Sequence, residues 1–158
     1  MTNTRWFPDF LKRRAPRRSI PPLLCWYGIN FRESNEVINR VLSENPFCFT
    51  ERELALVASW RRRIFGDFLI YKHLKKYTVF IGQGGLYGVV GLASPIADIF
   101  PSFALPRYAK TALLPFEGKI TYDSLLFTYN ITFGSGAKRG FNEEYRELKN
   151  KTGVIMTL

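Results

Sequence analysis

From Asp67 onward the apolar residues stop recurring at helical spacing. They gather into short runs, Phe68-Leu69-Ile70-Tyr71, Tyr77-Thr78-Val79-Phe80-Ile81 and Leu86-Tyr87-Gly88-Val89-Val90, rich in β-branched and aromatic side chains. Runs of this length and type read as strands, because such side chains fit a pleated surface. The last two are joined by Gly82-Gln83-Gly84-Gly85, a hairpin link, since a tight turn needs residues that tolerate positive φ. Antiparallel pairing follows. Further strands are predicted at 111–114, 119–122 and 126–133, and Ser94-Pro95 opens a short helical turn to residue 100 with proline at its first position. Gly134-Ser135-Gly136 leads into a helix over 137–150, and 153–158 reads as a last strand.

The chain before Asp67 has the other period. Val37, Ile38, Val41 and Leu42 fall on one face of a helix over 35–43, capped by Ser34 or Asn35 and ended by Asn45-Pro46. Thr50-Glu51-Arg52-Glu53 is a capping box opening a second helix to about residue 64, with Leu54, Val57, Ala58 and Trp60 toward the core. The fold class is therefore α+β: N-terminal helices packed on a curved, mainly antiparallel sheet or small barrel, with a C-terminal helix and strand. Residues 23–158 form one domain in this reading, and residues 1–22 a basic, proline-containing arm. The arm carries Arg5, Lys12, Arg13, Arg14, Arg17 and Arg18 against Asp9 alone, half of the formal net charge of +10.

With 46% hydrophobic and 16% aromatic residues, the 158-residue chain is too rich in apolar side chains for disorder. No run approaches the roughly 18 apolar residues of a spanning helix. Arg17-Arg18-Ser19 precedes an apolar stretch that Pro21 and Pro22 interrupt, without a small-residue cleavage site, so the sequence predicts no export and a cytoplasmic location. Cys25 and Cys48, set among Trp26, Phe47 and Phe49, are expected to be buried free thiols. Two lone cysteines and the single His73 have no metal-ligand spacing, and the sequence implies neither a metal nor a cofactor.

Ala112-Leu113-Leu114-Pro115-Phe116-Glu117-Gly118-Lys119-Ile120-Thr121-Tyr122-Asp123 together with Tyr87-Gly88-Val89-Val90-Gly91-Leu92 resembles the signature of an uncharacterised bacterial protein family. The likeness extends over about residues 68–158. It implies a soluble bacterial-type protein and a shared fold element, with no activity to transfer. The family commonly has glycine after Tyr-Asp, where this chain has Ser124.

No catalytic constellation stands out. Glu117, Lys119 and Asp123 alternate and would share one face of a strand, which reads as a solvated ion-pair cluster. His73 lies among Lys72, Lys75 and Lys76 without a group to orient it. Gly82 to Gly85 lacks the strand-to-helix setting of a dinucleotide loop. Gly134-Ser135-Gly136-Ala137-Lys138-Arg139 does enter a helix, so Gly136, Lys138 and Arg139 are an anion-site candidate, beside the plainer reading of a turn with solvated cations.

Two functions of different class remain. One is a nucleic-acid-binding module acting mainly through phosphates, RNA included, with Arg13, Arg14, Arg17, Arg18, Arg61, Arg62, Arg63, Lys72, Lys75 and Lys76 as its footprint. Tyr71 and Tyr77 would then stack bases if the sheet exposes them. The other is a protein-interaction or regulatory component whose basic arm docks an acidic partner. An enzyme ranks third, and oligomeric state is not legible.

Overall fold

In the computed structural model, which describes residues 34–123 and 125–158 together with Arg32, the chain divides into two compact units, Met1–Arg63 and Ile64–Leu158.

The first unit holds helices α1 (Glu36–Glu44) and α2 (Glu51–Ser59), the latter running into a 3-10 turn, Trp60–Arg62. Asn45 ends α1 in the left-handed conformation, its amide bonded to the Val41 carbonyl. The capping box forms as predicted: Glu53 donates its amide to Thr50 Oγ1, and the Thr50 amide donates to Glu53 Oε2 at 2.7 Å. Ile38 and Val57 are buried, whereas Leu54 and Trp60 are only half-buried. The second helix stops earlier than the expected residue 64, because Arg63 turns to extended geometry and β1 begins at Ile64. Cys48 is a free thiol, but it is exposed rather than buried, in a loop that bends through positive φ.

The second unit is a closed five-stranded barrel with two added strands. Its strands are β1 (Ile64–His73), β2 (Thr78–Gly82), β3 (Gly85–Val89), β4 (Arg107–Phe116) and β5 (Lys119–Tyr122). They pair in the order β1-β2-β3-β5-β4, and β4 returns to β1 along Ile64↔Leu113 to Ile70↔Arg107, closing the ring. All these pairings are antiparallel except β3 with β5. The β2–β3 turn consists of Gln83 and Gly84 with φ of 47° and 74°, the positive pair that a two-residue hairpin matched to strand twist requires. Glu117 and Gly118 make the same kind of turn between β4 and β5. Short helix α3 (Ile96–Ile99) lies between β3 and β4.

Alternation along the strands sends two apolar sets in opposite directions. Phe68, Ile70, Phe80, Tyr87, Val89, Ala109, Leu113, Ile120 and Tyr122 fill the barrel, with the Phe68 and Tyr87 rings edge to face at 5.8 Å. Leu69, Val79, Ile81 and Leu86 point outward and are covered by the long helix α4 (Ser135–Lys151), through Tyr145, Phe141 and Leu148. α4 starts two residues before the predicted start. β7 (Val154–Ile155) adds to β3 in parallel. At Gly88, a Cβ would overlap Met156 Sδ, so the C-terminal segment approaches β3 where a side chain is missing. The strand expected over 126–133 contracts to β6 (Phe127–Thr128) on β4. β5 holds residues 113–116 of that edge of β4, and β6 pairs only with Ala109 and Lys110 of the part before it, β4 itself beginning at Arg107.

Candidate nucleic-acid interface

Arg13, Arg14, Arg17 and Arg18 lie outside the described residues. Of the arginine triplet, Arg63 is built into the first unit. Its guanidinium donates to Asn35 Oδ1 at 2.6 Å, to the Ser34 carbonyl at 2.7 Å and to the Trp60 carbonyl at 3.2 Å, and partial burial lowers its pKa from the ordinary arginine value. It ties the start of α1 to the end of α2, which also explains why the Asn35 side chain makes no cap bond to the helix it precedes. Arg61 bonds Asn39 Oδ1 at 2.7 Å but is exposed, as is Arg62. The triplet thus divides into one structural arginine and two surface cations.

The Lys72 to Lys76 region divides in the same way. Ladder register slips between Ile70 and Lys72, a bulge that puts two residues opposite one and sends both Tyr71 and Lys72 outward. Tyr71 packs on Tyr145 with ring centroids 5.0 Å apart and donates to Asn142, and burial pushes its phenol up from the usual tyrosine value. Lys72 Nζ sits 3.9 Å above the Tyr145 ring. Tyr77 is half-buried in the same layer. These two tyrosines therefore serve the docking of α4 and present no open stacking face. Lys75 and Lys76 are exposed in the turn between β1 and β2. His73 bridges Thr78 Oγ1 at 2.8 Å and the Phe100 carbonyl at 2.6 Å; the carbonyl can only accept, so Nε2 carries a proton.

Exposed aromatic surface occurs instead on the outer face of β1, β4 and β6. Asp67, Lys110 and Phe127 form one row across the three strands, because Lys110 is the direct partner of both. Lys110 Nζ lies 5.3 Å from the centre of the Phe65 ring, and Tyr129 donates its hydroxyl to Asp67 Oδ1 at 2.6 Å. That bond, ahead of smaller desolvation and charge effects of the same sign, raises the Tyr129 phenol pKa. Phe127 is 58% and Tyr129 41% exposed, and Leu125 and Ile131 continue the alternation, each more than two-fifths exposed. The face thus carries the half-buried Phe65 ring against the Lys110 ammonium, and the exposed rings of Phe127 on the neighbouring strand and of Tyr129 just after it. Alternating apolar residues at 125, 127, 129 and 131 were the sequence signal for it, indistinguishable by period from a strand whose apolar face is buried.

No family model, curated protein or solved structure matches the chain.

The remaining predicted groups do not form a further site together. Glu117 and Lys119 sit at the tip of the β4–β5 turn, while Asp123 lies past the other end of β5, accepting from Thr111 Oγ1 at 3.0 Å and the Leu125 amide at 3.2 Å. The expected single strand face fails because Glu117 is a turn residue with φ of 46°. Gly136, Lys138 and Arg139 are exposed in the first turns of α4, whose N-cap, Gly134, offers no side-chain bond. Among the described residues there is no group of three or more metal-ligating side chains and no helix long and apolar enough to cross a membrane.

Proposed function

We propose that this protein is a nucleic-acid-binding module that holds a single strand mainly through phosphate contacts, with bases resting on the outer face of β1, β4 and β6. The observation that carries this reading is the placement of Phe65, Phe127 and Tyr129 around Lys110 on one exposed sheet surface. Every base has a π-face, so exposed rings bind single strands with little sequence preference, and an adjacent cation neutralises the backbone. The net charge of +10 favours the same partner. Five-stranded Greek-key barrels such as the OB-fold bind oligonucleotides elsewhere, commonly on the face of their second and third strands. Here α4 covers that face, and the open aromatic surface lies on the other side of β1. Fold likeness alone carries no function.

The test is fluorescence anisotropy of labelled single-stranded and duplex oligonucleotides with the full chain. Single strands are expected to bind more tightly, and affinity should fall as salt rises. Absence of association with either form at low salt would overturn the reading. A second reading, an interaction module whose arm at residues 1–22 meets an acidic protein, draws support from the six cations the arm carries against Asp9 alone. Retained binding of an acidic peptide with no binding of oligonucleotides would favour it.

A further inference from the structure

A groove of about 340 Å³ lies at the far end of β1 from that aromatic face, between the β1–β2 turn and the segment joining β3 to α3. Its size is at the lower end of small-molecule sites, roughly 300–1,000 Å³. Buried Thr78, Val89 and Ile96 line it, and two leucines that also line it, Leu74 and Leu92, remain 38% and 47% exposed. Lys75 and Lys76 stand on one side and Ser94 on the other, and none of the lining residues is a carboxylate.

Both walls are fixed. The Leu74 amide bonds the Tyr77 carbonyl at 2.8 Å and closes the first; His73 fastens its base to Thr78 and to the Phe100 carbonyl. The second wall starts from Val90, whose amide bonds Ile120 and whose carbonyl accepts from Thr121 Oγ1. It then folds over Gly91 so closely that a Cβ there would overlap the Ser94 carbonyl oxygen. A site held in shape before binding loses little free energy to ordering.

We propose that this groove binds a small organic phosphate of mononucleotide size, its apolar part against the exposed side chains of Leu74 and Leu92 and its phosphate at Lys75 and Lys76. Exposed leucines alone would suit a neutral ligand, and surface lysines alone any anion. The two together, without a carboxylate among the lining residues, select a molecule with both parts. The site is separate from the proposed nucleic-acid face and does not depend on it.

The experiment is a titration of the isotope-labelled full chain with adenosine monophosphate, adenosine and inorganic phosphate, read from amide resonances. The monophosphate is expected to shift residues 74–78 and 91–96 and to bind about tenfold or more tightly than either half alone. Replacing both lysines, Lys75→Ala with Lys76→Ala, removes two exposed charge contacts and should weaken it about tenfold. Leu92→Asp, at a position 47% exposed, places a carboxylate in the groove and should abolish binding. Lys110→Ala with Phe127→Ala should leave the titration unchanged even where oligonucleotide binding is lost, so the two proposals fail separately. Equal binding of adenosine and its monophosphate, shifts confined to other surfaces, or no shift at millimolar monophosphate would each overturn the proposal.

Discussion

Tyr145→Ala tests the layer that hides one face of the barrel. The ring is 9% exposed, stacks at 5.0 Å on Tyr71 and carries the Lys72 ammonium at 3.9 Å. Truncating a buried aromatic ring costs about 3–5 kcal/mol, the lost transfer free energy plus an unfilled cavity. The cation over the ring accounts for about 0.5–1 kcal/mol of this at a partly exposed site. For a unit of the size of Ile64–Leu158, each kcal/mol moves the melting midpoint by about 4–8 °C, so a fall of about 12–40 °C is expected. Tyr145→Phe keeps the ring and its cation, and should lose less than about 1 kcal/mol. Lys72→Met keeps the stem but removes the charge; its cost of about 0.5–1 kcal/mol should shrink in a Tyr145→Leu background, where only the Tyr71 ring, 5.3 Å from the ammonium, remains. Near-ultraviolet circular dichroism follows the melt, and a dye for apolar surface reports release of α4 from Leu69, Val79, Ile81 and Leu86. A midpoint within a few degrees of the parent, with no added dye binding, would refute the assignment of Tyr145 as the anchor of α4.

On the proposed interface, Lys110→Ala should make the slope of log K against log salt about 0.7 less steep for a single strand, the share of one phosphate. Phe127→Ala should instead leave that slope unchanged and weaken binding about 5- to 30-fold, as loss of one exposed stacking ring does; the reverse assignment of the two effects would refute the face. Tyr129 is predicted to ionise above the ordinary tyrosine range, because the Asp67 bond holds the phenol neutral. Its folded pKa is raised, so the contribution to stability is complete below the unfolded value of about 10 and disappears as pH rises through the folded one. Ultraviolet titration of the parent minus Tyr129→Phe isolates this group, and Asp67→Asn should bring its transition down.

Much of the local structure was legible because it depends on near neighbours. The capping box at Thr50 and Glu53, the stop at Asn45 and the turn at Gln83-Gly84 each follow from two or three adjacent side chains. Strand positions followed from β-branched and aromatic runs. The errors came at ends, where a partner decides. β4 lengthens to ten residues because β1 lies along it, and β6 shrinks to the two residues that pair with Ala109 and Lys110. Glu117, read as a strand residue, became a turn residue when β4 and β5 paired as a hairpin.

The period-two pattern determined by itself that each strand has two unlike faces, and the excess of cations determined the charge of the chain. Which face is covered depended on contacts distant in sequence. α4 lies over β1–β3 and draws Tyr71 and Tyr77 into packing, while the same alternation leaves Phe127 of β6 and Tyr129 just after it more than two-fifths exposed. Arg63 and Arg62 are adjacent and chemically identical, yet one is held by Asn35 and Ser34 and the other is exposed. A side chain's chemistry belongs to its residue, but its exposure is set by whatever the folded chain brings against it, and in the second unit barrel closure joins β1 to β4 across a separation that no local pattern encodes.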